Sequence, residues 1–230
     1  MTLDARLRAA ASLVRPGRNV CDIGTDHGYL PVWLAEQEHE GRITASDVNE
    51  KPLDSARHTI EADGYSHRIT LLRSDGLANI PAELAEDIVV AGMGGELIAR
   101  ILSDCPYVRE ADRHLILQPM TRADYLRRWL CGRGFEIVRE VPAVDRGHCY
   151  SVLSCYYTGT AISSTPLFER VGRVPEEDTP AAFAYVEHEL LRVRRIVGGR
   201  EMSGAPTEDY RLLLRQLEET LTRMHANGEN

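Results

Sequence analysis

An α/β fold with a mostly parallel sheet, an antiparallel hairpin at its end and an appended helical hairpin is predicted by three features of this chain. Short apolar runs alternate with helical-period segments over roughly the first 130 residues, the pattern of parallel strands joined by right-handed crossovers. Two β-rich runs then follow one another directly across Val144-Asp145-Arg146-Gly147-His148, as the arms of a hairpin do. Near the C-terminus, Phe183, Val186, Leu190, Val193 and Val197 step by three and four, and Tyr210, Leu214, Leu217, Leu221 and Met224 do so again.

Leu3 to Val14 has helical spacing through Leu3, Leu7, Ala10, Ala11 and Val14 and stops at Arg15-Pro16-Gly17. Strands are expected at Asn19 to Ile23, Arg42 to Ser46 ending at Asp47, Arg68 to Leu72, Glu86 to Ala91 and His114 to Gln118. Helices are expected at Tyr29 to Gln37, Pro52 to Asp63, Glu96 to Leu102 and Arg122 to Cys131. Glu136 to Pro142 and Cys149 to Tyr157 form the hairpin. Gly159 to Pro180 is rich in Gly, Ser, Thr and Pro without a period, which divides the chain into residues 1–159 and 160–230. Gly198-Gly199 through Gly204-Ala205-Pro206 should break the last helical run, so that its second arm folds back in coiled-coil fashion. Such a short hairpin is marginal alone and must dock on the main unit, a partner or another copy.

The composition, 43% hydrophobic and 27% charged in 230 residues, suits one well-cored unit with a small appendage. No run approaches the eighteen or so apolar residues of a membrane span, and Met1-Thr2-Leu3-Asp4-Ala5-Arg6 lacks a signal-peptide pattern, so a cytoplasmic protein with no membrane partner is expected. Cys21, Cys105, Cys131, Cys149 and Cys155 are scattered without metal spacing, so no metal and no disulfide are expected. A net charge of -8 excludes bulk positive charge as a means of coating nucleic acid. Arginine nevertheless gathers at Arg6, Arg8, Arg15 and Arg18, at Arg122, Arg127, Arg128 and Arg133, and at Arg192, Arg194, Arg195 and Arg200. These are either phosphate contacts or solvated helix faces.

The first strand ends in Asp22-Ile23-Gly24-Thr25-Asp26-His27-Gly28-Tyr29, a glycine turn opening a helix at the carboxyl end of a parallel strand, where such folds hold ligands. A dinucleotide enzyme needs G-x-G-x-x-G so that bare amides cradle a pyrophosphate, whereas Asp26 puts a carboxylate where phosphate would be repelled. This weakens a nicotinamide dehydrogenase and favours a nucleoside carrying a cation. S-adenosylmethionine has that chemistry. Gly24 and Gly28 then allow close approach, and Asp22 either holds loop amides or meets the methionine ammonium. Asp47, with Val48 beside it, lies about twenty residues beyond Gly24, where an acid accepts from ribose hydroxyls. Asp75 and Gly76 in Ser74-Asp75-Gly76-Leu77 face the adenine edge or form an ordinary turn.

On the substrate side, Asp26 and His27 are placed for chemistry, His27 being alternatively a solvent-exposed neighbour of the helix start. Ala91-Gly92-Met93-Gly94-Gly95 ends the fourth strand. It lacks the Pro-Pro-aromatic motif that serves an exocyclic amine, and its glycines leave room for a flat base, with Ala91 and Gly92 toward the cofactor and Met93 toward the reacting group. Gln118 of Leu117-Gln118-Pro119 could read a base edge, and Tyr29 and Tyr150 are stacking candidates or half-buried core aromatics. A mostly parallel sheet ending in an antiparallel pair, with this turn, is the Rossmann-like sheet of class I methyltransferases.

These motifs, together with Leu115-Ile116-Leu117-Gln118-Pro119 and Cys149-Tyr150, resemble in order the bacterial tRNA (adenine-N1)-methyltransferases that modify adenosine 22. The resemblance spans about the first 155 residues, and the helical hairpin looks like that family's appended domain. Gly28, Asp47 and Met120 depart from the family's frequent alanine, glutamate and asparagine; Asp47 keeps a carboxylate. The resemblance implies methyl transfer from S-adenosylmethionine to adenine N1 of tRNA. Asp26 would stabilise the charge that develops on the base, no metal would be needed, and the arginines near Arg192 to Arg195 would hold the tRNA body. Whether the protein is a monomer or a weak dimer is not set by the sequence. The competing classes are a methyltransferase for small molecules or proteins and a nucleotide-binding regulatory module without turnover.

Overall fold

The computed structural model describes residues 1–228. Seven strands form one sheet: β1 (Val20–Ile23), β2 (Ile43–Asp47), β3 (Ile69–Arg73), β4 (Asp87–Gly94), β5 (His114–Thr121), β6 (Phe135–Asp145) and β7 (His148–Tyr157). Their order is β3-β2-β1-β4-β5-β7-β6, with β1 to β5 parallel and β7 antiparallel to both β5 and β6. Alternate residues of the central strands face opposite ways, and both faces are covered. Ile88, Val90, Leu115 and Leu117 pack under α4 (Gly95–Asp104) and α5 (Ala123–Gly132). Val89 and Ile116 pack under α1 (Ala5–Ala11), α2 (Tyr29–Glu36) and α3 (Glu50–Ala62). The strands are continuous apolar runs because they are buried on both sides.

After β7 come α6 (Pro166–Val171), α7 (Pro180–Met202) and α8 (Glu208–Gly228), with a core of their own built on Tyr185, Val186, Val193, Leu217 and Leu221. α6 lies in the stretch read from sequence as featureless; Thr165 caps it by accepting from the Phe168 N–H. Gly198 and Gly199 do not break α7, which runs on to Met202. Two glycines cost a helix about 2 kcal/mol, but the next turn is tied across the corner. Arg200 Nε donates to the Pro206 carbonyl at 2.7 Å, its guanidinium lies over the Tyr210 ring, and Arg211 pairs with Glu201 at 2.6 Å. The chain turns instead at Gly204 (φ +69°).

β4 also runs further than expected, through Gly92 to Gly94. Pairing with β5 continues past a bulge between Ala91 and Met93, where Gly92 adopts φ +81°. No helix among the described residues is long and apolar enough to cross a membrane.

Candidate active site

The turn after β1 is clamped to the end of β2, since the Gly24 and Thr25 N–H groups both donate to the Ser46 carbonyl at 2.7 and 2.9 Å. The Ser74 N–H in turn donates to the Asp47 carbonyl at 3.1 Å. The glycine turn, Asp47 and the loop beginning at Ser74 are thus held side by side at the carboxyl ends of β1, β2 and β3. Gly24 has φ +78°, and a Cβ there would lie 2.0 Å from the Met93 methyl, so only glycine fits beneath Met93.

A crevice of about 340 Å³ opens beside this turn, lined by Asp22, Gly24, Thr25, Asp26, His27, Gly28, Tyr29, Ala91 and Gly92. Four further lining residues escaped the sequence reading: Asp4, Arg6 and Leu7 from the start of α1, and Met120 from the end of β5. Asp4 is recognisable as an N-cap, accepting from the Leu7 N–H at 2.9 Å. Nothing local reveals that this helix end folds over β5.

Asp22 is buried, and burial pushes its carboxyl up to about 6, partly opposed by a hydrogen bond from Thr25. The folded chain therefore holds a proton on Asp22 more tightly than the unfolded chain does, and stability is lost as pH rises from about 4 to about 6 by up to on the order of 3 kcal/mol. Asp22→Asn removes this cost. The melting-temperature gap between the variant and the unaltered protein should open in favour of the variant over that window and stay constant above pH 7; a gap that is flat across pH 4–8 would contradict the assignment.

Asp26 and His27 are both exposed, with His27 Nε2 3.3 Å from Asp26 Oδ2. The His27 ring stacks on Tyr29 at 5.2 Å. Asp47 ends β2 and accepts from the Asn49 N–H through Oδ1 at 2.7 Å, leaving Oδ2 without a protein donor among the described residues. Val48 beside it is exposed.

Other expected site residues are placed differently. Asp75 and Gly76 line a neighbouring cleft against Arg100, Ile101 and Tyr107, and Gly76 is required by packing, since its Cβ would meet Ile101 at 3.0 Å. Met93 packs over Gly24 and against the core and does not line the crevice. Gln118 does not offer an edge to a base. It is fully buried, its Oε1 accepts from Arg6 and from the Gly92 N–H at 3.0 Å each, and its Nε2 donates to the Pro119 carbonyl. Tyr150 is half-buried beneath the Arg6 guanidinium. Of the arginine clusters, Arg127 is fully buried and unavailable to phosphate, and Arg192 and Arg194 are paired with Glu189 and Glu218. No group of metal-binding side chains occurs among the described residues.

A methyltransferase-domain family model matches residues 3–153. The tRNA (adenine(22)-N(1))-methyltransferase of Bacillus subtilis (strain 168) is 30% identical over 224 residues, covering 94% of this chain and 93% of that protein. The chain belongs to this methyltransferase family. Members with solved structures share its architecture over nearly the whole length. The putative tRNA (m1A22) methyltransferase of Streptococcus pneumoniae, in complex with S-adenosyl-L-methionine, is 30% identical with a TM-score of 0.80, covering 96% of this chain and all of that one. The B. subtilis M1A22 tRNA methyltransferase is 28% identical with a TM-score of 0.76, covering 99% of each chain. The family's likeness therefore extends through α6, α7 and α8, beyond the methyltransferase-domain match.

Proposed function

We propose that this protein methylates N1 of an adenine in tRNA, position 22, using S-adenosylmethionine. The observation that carries the reading is the match to the B. subtilis tRNA (adenine(22)-N(1))-methyltransferase across both the sheet and the C-terminal helices. The side chains lining the crevice fit the cofactor: Asp22 and Asp26 suit a nucleoside bearing a sulfonium and an ammonium, and they repel a pyrophosphate. Gly24 and Gly28, both at positive φ, supply a floor without side chains.

S-adenosylmethionine, when bound, supplies an electrophilic methyl group. Asp22 holds the ammonium, the free Oδ2 of Asp47 accepts from the ribose hydroxyls with Val48 beside it, and Asp75 and Gly76 serve the adenine edge. Ala91 and Gly92 line the floor next to the target. Adenine N1 carries an in-plane lone pair and needs no base to activate it, so the protein's task is alignment. Asp26 faces the charge that develops on the base, and His27 and Tyr29 offer a stacked pair of rings to it. N1 lies on the pairing edge, so the nucleotide is unpaired or extruded before it reacts.

Residues 1–159 act as the catalytic unit and 160–230 as a helical unit that meets the tRNA body. There Arg195, without an ion pair among the described residues, is better placed for phosphate than Arg192 or Arg194. The setting is cytoplasmic, and the protein acts as a monomer or weak dimer. Incubation with S-adenosylmethionine and unmodified tRNA, then nucleoside mass spectrometry and position mapping, should yield 1-methyladenosine at position 22. Methyl transfer to protein or metabolites alone would overturn the reading.

A further inference from the structure

We propose that Arg6 is the ligand for the carboxylate of the cofactor's methionine half, an inference that rests on the crevice binding S-adenosylmethionine. That molecule carries a sulfonium, an ammonium and a single anionic group. The crevice answers the two cations with Asp22 and Asp26, and it contains two residues able to meet an anion, Arg6 and His27. His27 is exposed, ion-paired to Asp26 and stacked on Tyr29, which commits it to the turn.

Arg6 is held differently. Its Nη1 donates to Gln118 Oε1 at 3.0 Å and to Met120 Sδ at 3.3 Å, its Nη2 donates to Asp4 Oδ2 at 2.7 Å, and its guanidinium rests on the Tyr150 ring at 5.6 Å. A guanidinium carries five N–H groups, so the Nε–H and one Nη2–H remain without an acceptor among the described residues. Two neighbouring donors of one planar group are the fork that binds a carboxylate bidentately.

The surroundings fix this fork in place. Gln118 is fully buried and shares its Oε1 between Arg6 and the Gly92 N–H, so the guanidinium is tied to the crevice floor, and Arg6 Nη1 lies 3.9 Å from where a Cβ on Gly92 would stand. The side chain is 19% exposed, so its charge is partly desolvated and its rotamer already chosen before a ligand arrives. Gln118 thus has a positioning role toward the cofactor side of the site, exercised through Arg6.

The test is a calorimetric comparison of S-adenosylmethionine with its decarboxylated form, which lacks only the carboxylate, on the unaltered protein and on Arg6→Met and Arg6→Lys. The unaltered protein should prefer S-adenosylmethionine by about 10- to 100-fold, the range of a charge-assisted hydrogen-bonded pair. Arg6→Met should lose that preference by weakening S-adenosylmethionine alone, and Arg6→Lys should keep part of it. Equal weakening of both ligands would make Arg6 a support for α1 only. Unchanged affinity for both, with a raised KM for tRNA, would assign it to the RNA. Either result overturns the proposal. Failure of the cofactor reading looks different, because the unaltered protein would then bind neither compound.

Discussion

Replacing Arg127 by methionine should destabilise the protein by about 3–5 kcal/mol, the cost of stranding one member of a buried ion pair. Arg127 and Glu140 are both fully buried, joined by contacts of 2.7–3.1 Å. Burial alone would lower the affinity of the guanidinium for its proton, but the attraction of Glu140 outweighs it and the pKa is raised. The remaining donors go to Ser151 Oγ on β7, Tyr185 OH on α7 and the carbonyls of Glu169 and Arg170 on α6. One side chain on α5 therefore joins the sheet edge to the C-terminal helices. Gly172 is part of the same arrangement, because a Cβ there would lie 1.7 Å from Glu140 Oε1.

Urea or thermal unfolding would show the loss, with Tm falling by on the order of 10 °C. Arg127→Lys should recover little, since an ammonium cannot reproduce the planar fork. The double variant Arg127→Met/Glu140→Leu should recover most of the loss, because it leaves no unpaired charge. A single-variant loss below about 1 kcal/mol would show that the pair does not hold the two parts together.

Arg127 also shows where sequence reading stops. On sequence it sits in an arginine-rich helix beside Arg122, Arg128 and Arg133, and only three-dimensional packing separates the buried lock from its solvated neighbours. The strands were legible because each is a short apolar run bounded by turn residues, and their parallel order followed from the helices between them. The hairpin was legible as well, though its turn is tighter than expected, with Arg146 and Gly147 both at positive φ. The continuity of α7 through Gly198-Gly199 was not, because propensity argues for a break while the contacts of Arg200 and Arg211 with the following segment argue against one. Gln118 makes the same point within the crevice. Its position at a strand end suggested an exposed edge, yet its amide is spent on Arg6, which lies on an element more than a hundred residues earlier in the chain. Residues that act through local backbone geometry, such as Gly24, can be read from spacing. Those that act through a partner brought in from elsewhere, such as Arg6, cannot.

Asp26→Asn should lower the rate of methyl transfer to tRNA by roughly 10²- to 10³-fold, the range seen when one group facing a developing charge is removed. The substitution keeps the size and one acceptor oxygen of the side chain but removes its charge. The effect should therefore fall mainly on kcat, because the charge on adenine appears only as the methyl group arrives, whereas S-adenosylmethionine carries its sulfonium before and Asp22 remains to hold it. Asp26 is exposed and its partner His27 is exposed too, so folding should be indifferent: Tm within about 1 °C, with calorimetric affinity for S-adenosylmethionine within about threefold. His27→Ala is the informative companion. If Asp26 acts directly, losing the imidazole 3.3 Å away leaves the carboxylate in place and costs much less than Asp26→Asn. If Asp26 serves only to orient His27 against Tyr29, the two variants should be equally impaired and the double variant no worse than either. A kcat for Asp26→Asn within threefold of the unaltered protein would remove Asp26 from the chemistry, and the carboxylate at this turn would then serve cofactor selection alone.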